Sequence, residues 1–123
     1  MLNDSRLICF AATRNSEAAK EFYRDVLGLR LTEDSPFALA FDANGTMLRI
    51  QKFPDHVPPK TTVLGWHVED IGAKVADLTR RGVRFERYPS LVQDQLGIWN
   101  SPSGAQVAWF KDPDGNTLSL TQW

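Results

Sequence analysis

GAQVAWFKDPDGNTLSLTQ, residues 104–122, decides the fold. Polar and apolar residues alternate from Gln106 to Lys111 and again from Thr117 to Gln122. Such alternation gives a strand one face toward a core and one face away from it. Between the two runs stands Asp112-Pro113-Asp114-Gly115-Asn116. Pro113 presets φ for a turn, and Asp114 and Gly115 accept the left-handed conformations that reverse a chain. The stretch reads as a β-hairpin, with DPDGN as a turn before it is anything chemical.

An earlier stretch, FALAFDANGTMLRIQ at 37–51, echoes it. Asp42, Gly45, Leu48 and Ile50 match Asp112, Gly115, Leu118 and Leu120 at one constant offset (112 − 42 = 70). Upstream, VLGLRL at 26–31 matches RRGVRF at 80–85, with Gly28 and Gly82 in register. Leu7 to Asn15 likewise matches Thr62 to Asp70. The chain is therefore two copies of one unit, and the second copy carries an insertion of about fifteen residues before its hairpin.

A chain of 123 residues with 42% hydrophobic and 24% charged residues is sized and composed as one ordinary globular domain. Net charge −1 gives no electrostatic reason to expect nucleic acid or an anionic membrane surface. MLNDSRLICF is too short and too polar for a signal peptide, and no long apolar run follows. One cysteine, Cys9, excludes an internal disulfide and a cysteine zinc cluster. The expectation is a cytoplasmic protein.

The first unit reads as a strand at Leu7–Thr13, then a helix near 16–27 capped by Asn15 or Ser16. Ala19, Phe22, Tyr23, Val26 and Leu27 form its apolar face, and Gly28 fits the left-handed position past its end. Strands at Leu29–Thr32, Phe37–Phe41 and Thr46–Lys52 complete module one, 5–52. FPDHVPPK opens a proline-rich linker, 53–61, in which His56 reads as solvated. Module two, 62–123, reads as a strand at Thr62–Val68 and a helix at 70–81 capped by Asp70. A strand at Val83–Tyr88, an inserted loop with a partly extended stretch around Trp99, and the terminal hairpin follow.

Two βαβββ units with Phe22-Tyr23-Arg24-Asp25-Val26-Leu27-Gly28, Val68-Glu69-Asp70-Ile71 and the Asp112–Asn116 turn resemble the vicinal oxygen chelate superfamily. That superfamily includes glyoxalase I, extradiol dioxygenases, fosfomycin-resistance enzymes and bleomycin-binding proteins. The resemblance covers nearly the whole chain and implies an α+β fold: two tandem βαβββ modules forming a curved mixed sheet. It also implies metal-ligand places, usually His, Gln or Glu, at Ile8, Arg49, Val63 and Ser119. Two of these are aliphatic and one is a cation, whereas a divalent ion needs several N or O ligands converging. No metal and no cofactor are expected.

The resemblance implies that these four positions face a concave cup, and strand alternation extends the cup by twos. It adds Phe10 and Ala12, Met47 and Gln51, Gly65 and His67, and Thr117 and Thr121. Val107 and Trp109 join them across the hairpin, and Trp99 in the insertion offers a lid or wall. The candidate ligand-binding residues are Arg49, Trp109, His67, Trp99, Ser119, Phe10 and Gln51. Each has a plainer reading. A strand tryptophan serves equally as core or dimer contact, His67 as a hydrogen-bonded structural residue, and Arg49 as a partner for Asp34 or Glu33. No GxSxG, phosphate loop or HExxH is present.

The leading expectation is a metal-independent small-molecule-binding protein of the glyoxalase/bleomycin-resistance type. It binds an aromatic or anionic ligand in a cup at a homodimer interface, without nucleic acid or membrane partners. The competing readings are a lyase, isomerase or dioxygenase of the same superfamily, glyoxalase I-like, and an interaction module without a ligand.

Overall fold

The computed structural model describes residues Met1–Trp123, and the chain divides into two units, Met1–Val57 and Pro58–Trp123. In the first, β1 (Ile8–Thr13) leads into α1 (Ser16–Glu21), which continues as one wider turn over Phe22–Val26. β2 (Arg30–Asp34), β3 (Ala38–Ala43) and β4 (Thr46–Lys52) follow. In the second, β5 (Thr62–His67), α2 (Ile71–Arg80), β6 (Trp99–Asn100), β7 (Gln106–Lys111) and β8 (Thr117–Gln122) repeat the order. The sheets run β1-β4-β3-β2 and β5-β8-β7-β6, with β1·β4 and β5·β8 parallel and the other pairs antiparallel.

The repeat predicts strand register. Phe10 pairs with Arg49, and Gly65 pairs with Ser119. Those are the same two positions of the unit, at the offsets read from the sequence. The caps repeat too. Asn15 Oδ1 accepts from Ala18 N at 3.2 Å, and Asp70 Oδ1 accepts from Ala73 N at 3.1 Å. Each satisfies a helix N–H that has no partner within the helix.

Both hairpin turns use an aspartate as backbone acceptor. Asp42 Oδ1 takes Gly45 N at 2.8 Å. Asp112 Oδ1 takes the N–H groups of Asp114 and Asn116 at 2.9 and 3.0 Å, and its Oδ2 takes Asn116 Nδ2 at 2.8 Å. Asn44 and Gly45 have φ of 51° and 94°, as a tight reversal requires.

Alternation sorts each sheet into two faces. In the first, Leu39, Phe41, Leu48 and Ile50 are buried together with Ala19 and Tyr23. Tyr23 lies 5.8 Å from Phe41 between ring centroids. In the second, Ala108, Phe110, Leu118 and Leu120 are buried with Ile71 and Val75 of α2. The other face of each sheet is the more open one. Ile8, Phe10 and Met47 are 44%, 51% and 42% exposed there.

Three expectations need correction. The first helix does not run on as a plain α-helix, because Leu27 N bonds to Phe22 O five residues back, at 2.9 Å. Val83–Tyr88 is not a strand. Its backbone meets the sheet at Phe85, bridged to Phe110, and at Glu86 N, which donates to Trp109 O at 2.7 Å. The insertion takes the next positions instead: Tyr88 N donates to the Gln93 side chain at Oε1, 2.7 Å, and the Arg87 guanidinium donates to the Gln95 main-chain carbonyl at 2.8 Å. The edge place held by β2 in the first sheet is held in the second by the two-residue β6. Finally, His56 is half-buried, not solvated.

Candidate functional site

Ladder partners share a face, so the register assembles the candidate residues row by row. In the second sheet one row is Trp99, Val107, Thr121 and His67. The next is Trp109, Ser119 and Gly65. Both rows lie on the face away from Ala108, Phe110, Leu118 and Leu120. Trp99 and Trp109 stack at a tilt, 5.9 Å between centroids. Tyr88 meets Trp109 edge-on at 5.5 Å. The result is a three-ring cluster bordering Ser119.

Tyr88 is the residue that strand reasoning missed. It is placed by the insertion, where Gln93 Nε2 also donates to Glu86 O and Gly97 O at 2.9 and 2.8 Å. Asp94 Oδ1 accepts from Leu96 N and Ile98 N, both at 2.9 Å. Two polar side chains thus hold the loop that carries the ring. Burial raises the Tyr88 phenol above its ordinary pKa, and the charge of Glu86 adds to the effect. It therefore remains a hydrogen-bond donor at neutral pH.

The polar atoms of this cluster are unspent. Tyr88, Trp99, Trp109 and Ser119 make no side-chain hydrogen bonds within the chain, and no buried side-chain polar atom lacks a partner. Their O–H and N–H groups therefore reach open space. Gly65 widens the floor, since a Cβ there would stand 2.8 Å from Ser119 Oγ.

His67 lies in the outer row, exposed, with its ring 5.0 Å from that of Trp123. In the first sheet Phe10 and Arg49 are ladder partners with Ala40 beyond Arg49, and exposed Gln51 sits one row along with Ala12 and Ala38. Arg49 is half-buried and forms no ion pair. Asp34, one carboxylate open to it by sequence, is held by Lys20 at 2.7 Å and Lys52 at 2.6 Å. The structure thus groups Trp109, Trp99 and Ser119 on one sheet, and Phe10 and Arg49 on the other.

Ile8, Arg49, Val63 and Ser119 do not fit a divalent cation. They supply no imidazole or carboxylate, and the guanidinium repels a cation. No group of three His, Cys, Asp or Glu side chains converges elsewhere in the chain.

Comparison with known proteins agrees with the architecture. A putative glyoxalase family protein from Bacillus anthracis superposes with a TM-score of 0.76 at 16% identity, covering 99% of this chain and 98% of that one. Lactoylglutathione lyase from Agrobacterium tumefaciens gives 0.73 at 18% identity over 96% and 93%. TnmS3, an antibiotic-binding protein from Streptomyces sp. CB03234, gives 0.71 at 27% identity over 99% and 98%. No curated protein matches significantly in sequence. The sequence model of one family matches residues 8–120, and the chain belongs to the Glyoxalase/Bleomycin resistance protein/Dioxygenase superfamily.

Proposed function

We propose that this protein binds a small aromatic or anionic molecule without metal, in a cup at a homodimer interface, in the cytoplasm. The observation that carries the reading is the trio of Tyr88, Trp99 and Trp109 with unspent donors beside the Ser119 hydroxyl. Aromatic pairs contribute about 0.5–1.5 kcal/mol beyond area burial, so a planar ligand gains from each ring it meets. A few convergent polar groups in an apolar surround then fix its orientation. Arg49, unpaired beside Phe10, supplies charge-assisted hydrogen bonds to an anionic group. Binding rather than metal-assisted catalysis is supported by the donor set at residues 8, 49, 63 and 119, and by the likeness to an antibiotic-binding protein. The dimer reading is supported by Ile8, Phe10 and Met47, an exposed apolar patch that a second copy would cover.

The test is a tryptophan-fluorescence titration with a panel of aromatic compounds and aromatic carboxylates, with and without divalent metal. The expected result is saturable one-site quenching that a chelator leaves unchanged and that Trp109→Ala weakens at least tenfold. Arg49→Ala is expected to weaken the carboxylates selectively. Quenching that requires metal, or equal affinity in both variants, would overturn the proposal.

A further inference from the structure

The insertion does more than place Tyr88. It also walls a cavity of about 380 Å³ at the C-terminal end of α2, lined by Gly82, Val83, Arg84, Phe85, Arg87 and Leu96 among others. The wall is fixed tightly. Gly97 has φ of 91°, and a Cβ there would meet Phe85 Cβ at 3.3 Å, so the loop passes close against the start of the Phe85 side chain. Arg87 clips the same loop through Gln95 O at 2.8 Å.

The charge of this cavity is one-sided. Arg84 is exposed and pairs with no carboxylate. Nearby acids are engaged elsewhere: Asp77 with Arg80 and Arg81, each at 3.4 Å, and Glu86 with Lys111 at 3.9 Å. The closing turn of α2 is already satisfied, because Gly82 N bonds to Thr79 O and Val83 N to Leu78 O, both at 3.0 Å. Two guanidiniums thus stand at the rim of an apolar floor made by Val83, Phe85 and Leu96. The volume lies within the range of small-molecule sites.

We propose that this cavity is a second binding site, for a small carboxylate with an apolar body. The carboxylate meets Arg84 in the planar two-pronged geometry that guanidinium favours, with Arg87 alongside. The body lies on Phe85 and Leu96. This site is independent of the Trp109 cluster.

The test uses benzoate, with benzamide as its neutral counterpart and inorganic phosphate as an anion without an apolar body. Backbone amide NMR follows Gly82 and Gly97 during titration. The expected result is saturable shifts of both amides with benzoate, at least tenfold weaker with benzamide and phosphate. Arg84→Ala should weaken benzoate at least fivefold, with the remaining spectrum unchanged, and Trp109→Ala should leave these shifts intact. No shift at Gly82 and Gly97, an equal response to benzamide or phosphate, or full affinity in Arg84→Ala would overturn the inference. Benzoate shifts confined to the Trp99 and Trp109 indoles would also overturn it, while leaving the proposed aromatic site standing.

Discussion

Gly65 and Ser119 are ladder partners between β5 and β8, and a Cβ on residue 65 would lie 2.8 Å from the Ser119 hydroxyl oxygen. The equivalent pair of the first unit is Phe10 and Arg49. One ladder pair of the duplicated unit is thus a phenylalanine beside an arginine in one copy and a glycine beside a serine in the other. Gly65→Ala is expected to force Ser119 to another rotamer, at a stability cost of about 1 kcal/mol. Gly65→Ala combined with Ser119→Ala should recover most of that loss, because the clashing atom is gone. A double-mutant cycle by chemical denaturation measures the coupling, and strictly additive losses would contradict it.

Trp109 joins Tyr88 and Trp99 in one cluster. Trp109→Ala removes both ring contacts from a half-buried position, and roughly 1–3 kcal/mol of stability should go with them. Trp109→Phe should retain most of it. Urea midpoints for the two variants, compared at constant slope, check the difference.

The two turn aspartates should separate sharply. Asp112 is buried and holds three donors, whereas Asp42 is half-buried and holds Gly45 N and Arg30. Asp112→Ala strands buried N–H groups and should cost about 2–4 kcal/mol. Asp42→Ala should cost clearly less, since water replaces the carboxylate. Equal shifts in thermal midpoint would refute the distinction.

Hydrogen bonds from Lys20 and then Lys52 hold the Asp34 carboxylate below its usual pKa. A depressed carboxylate stabilises the fold above its unfolded pKa, and that stability is lost as pH falls through the lowered folded value. The loss should therefore appear below about pH 4, the ordinary carboxylate range. Asp34→Asn should flatten the acid limb of a Tm-against-pH curve. An identical acid limb in the variant would show that the pair is electrostatically idle.

Thermal midpoints should not rise with zinc, nickel, manganese or iron(II), because Ile8, Arg49, Val63 and Ser119, the places the resemblance assigns to metal ligands, carry no imidazole or carboxylate. A metal that binds the native state selectively would raise the midpoint by mass action. A one-to-one rise, lost in Ser119→Ala, would contradict this.

What the sequence by itself determined was everything written in local chemistry and in the repeat. Asn15 and Asp70 cap helices because a short polar side chain reaches the third amide along. Gly28 and Gly82, with φ of 76° and 94°, end them because only glycine takes that conformation freely. Strand alternation and two constant offsets were enough to match Phe10·Arg49 with Gly65·Ser119. The tertiary structure alone decided which side chains gather in the candidate site. Val83–Tyr88 has a strand's composition, yet Tyr88 N goes to the Gln93 side chain and the Arg87 guanidinium to the Gln95 carbonyl, so contacts with the insertion replace a continued backbone ladder. That exchange brings Tyr88 onto Trp109, a contact across 21 residues that no local pattern encodes. Arg49 is left unpaired for a similar reason. Two lysines, from α1 and β4, converge on Asp34, and a competition among distant charges is settled by which side chains the packing brings within reach.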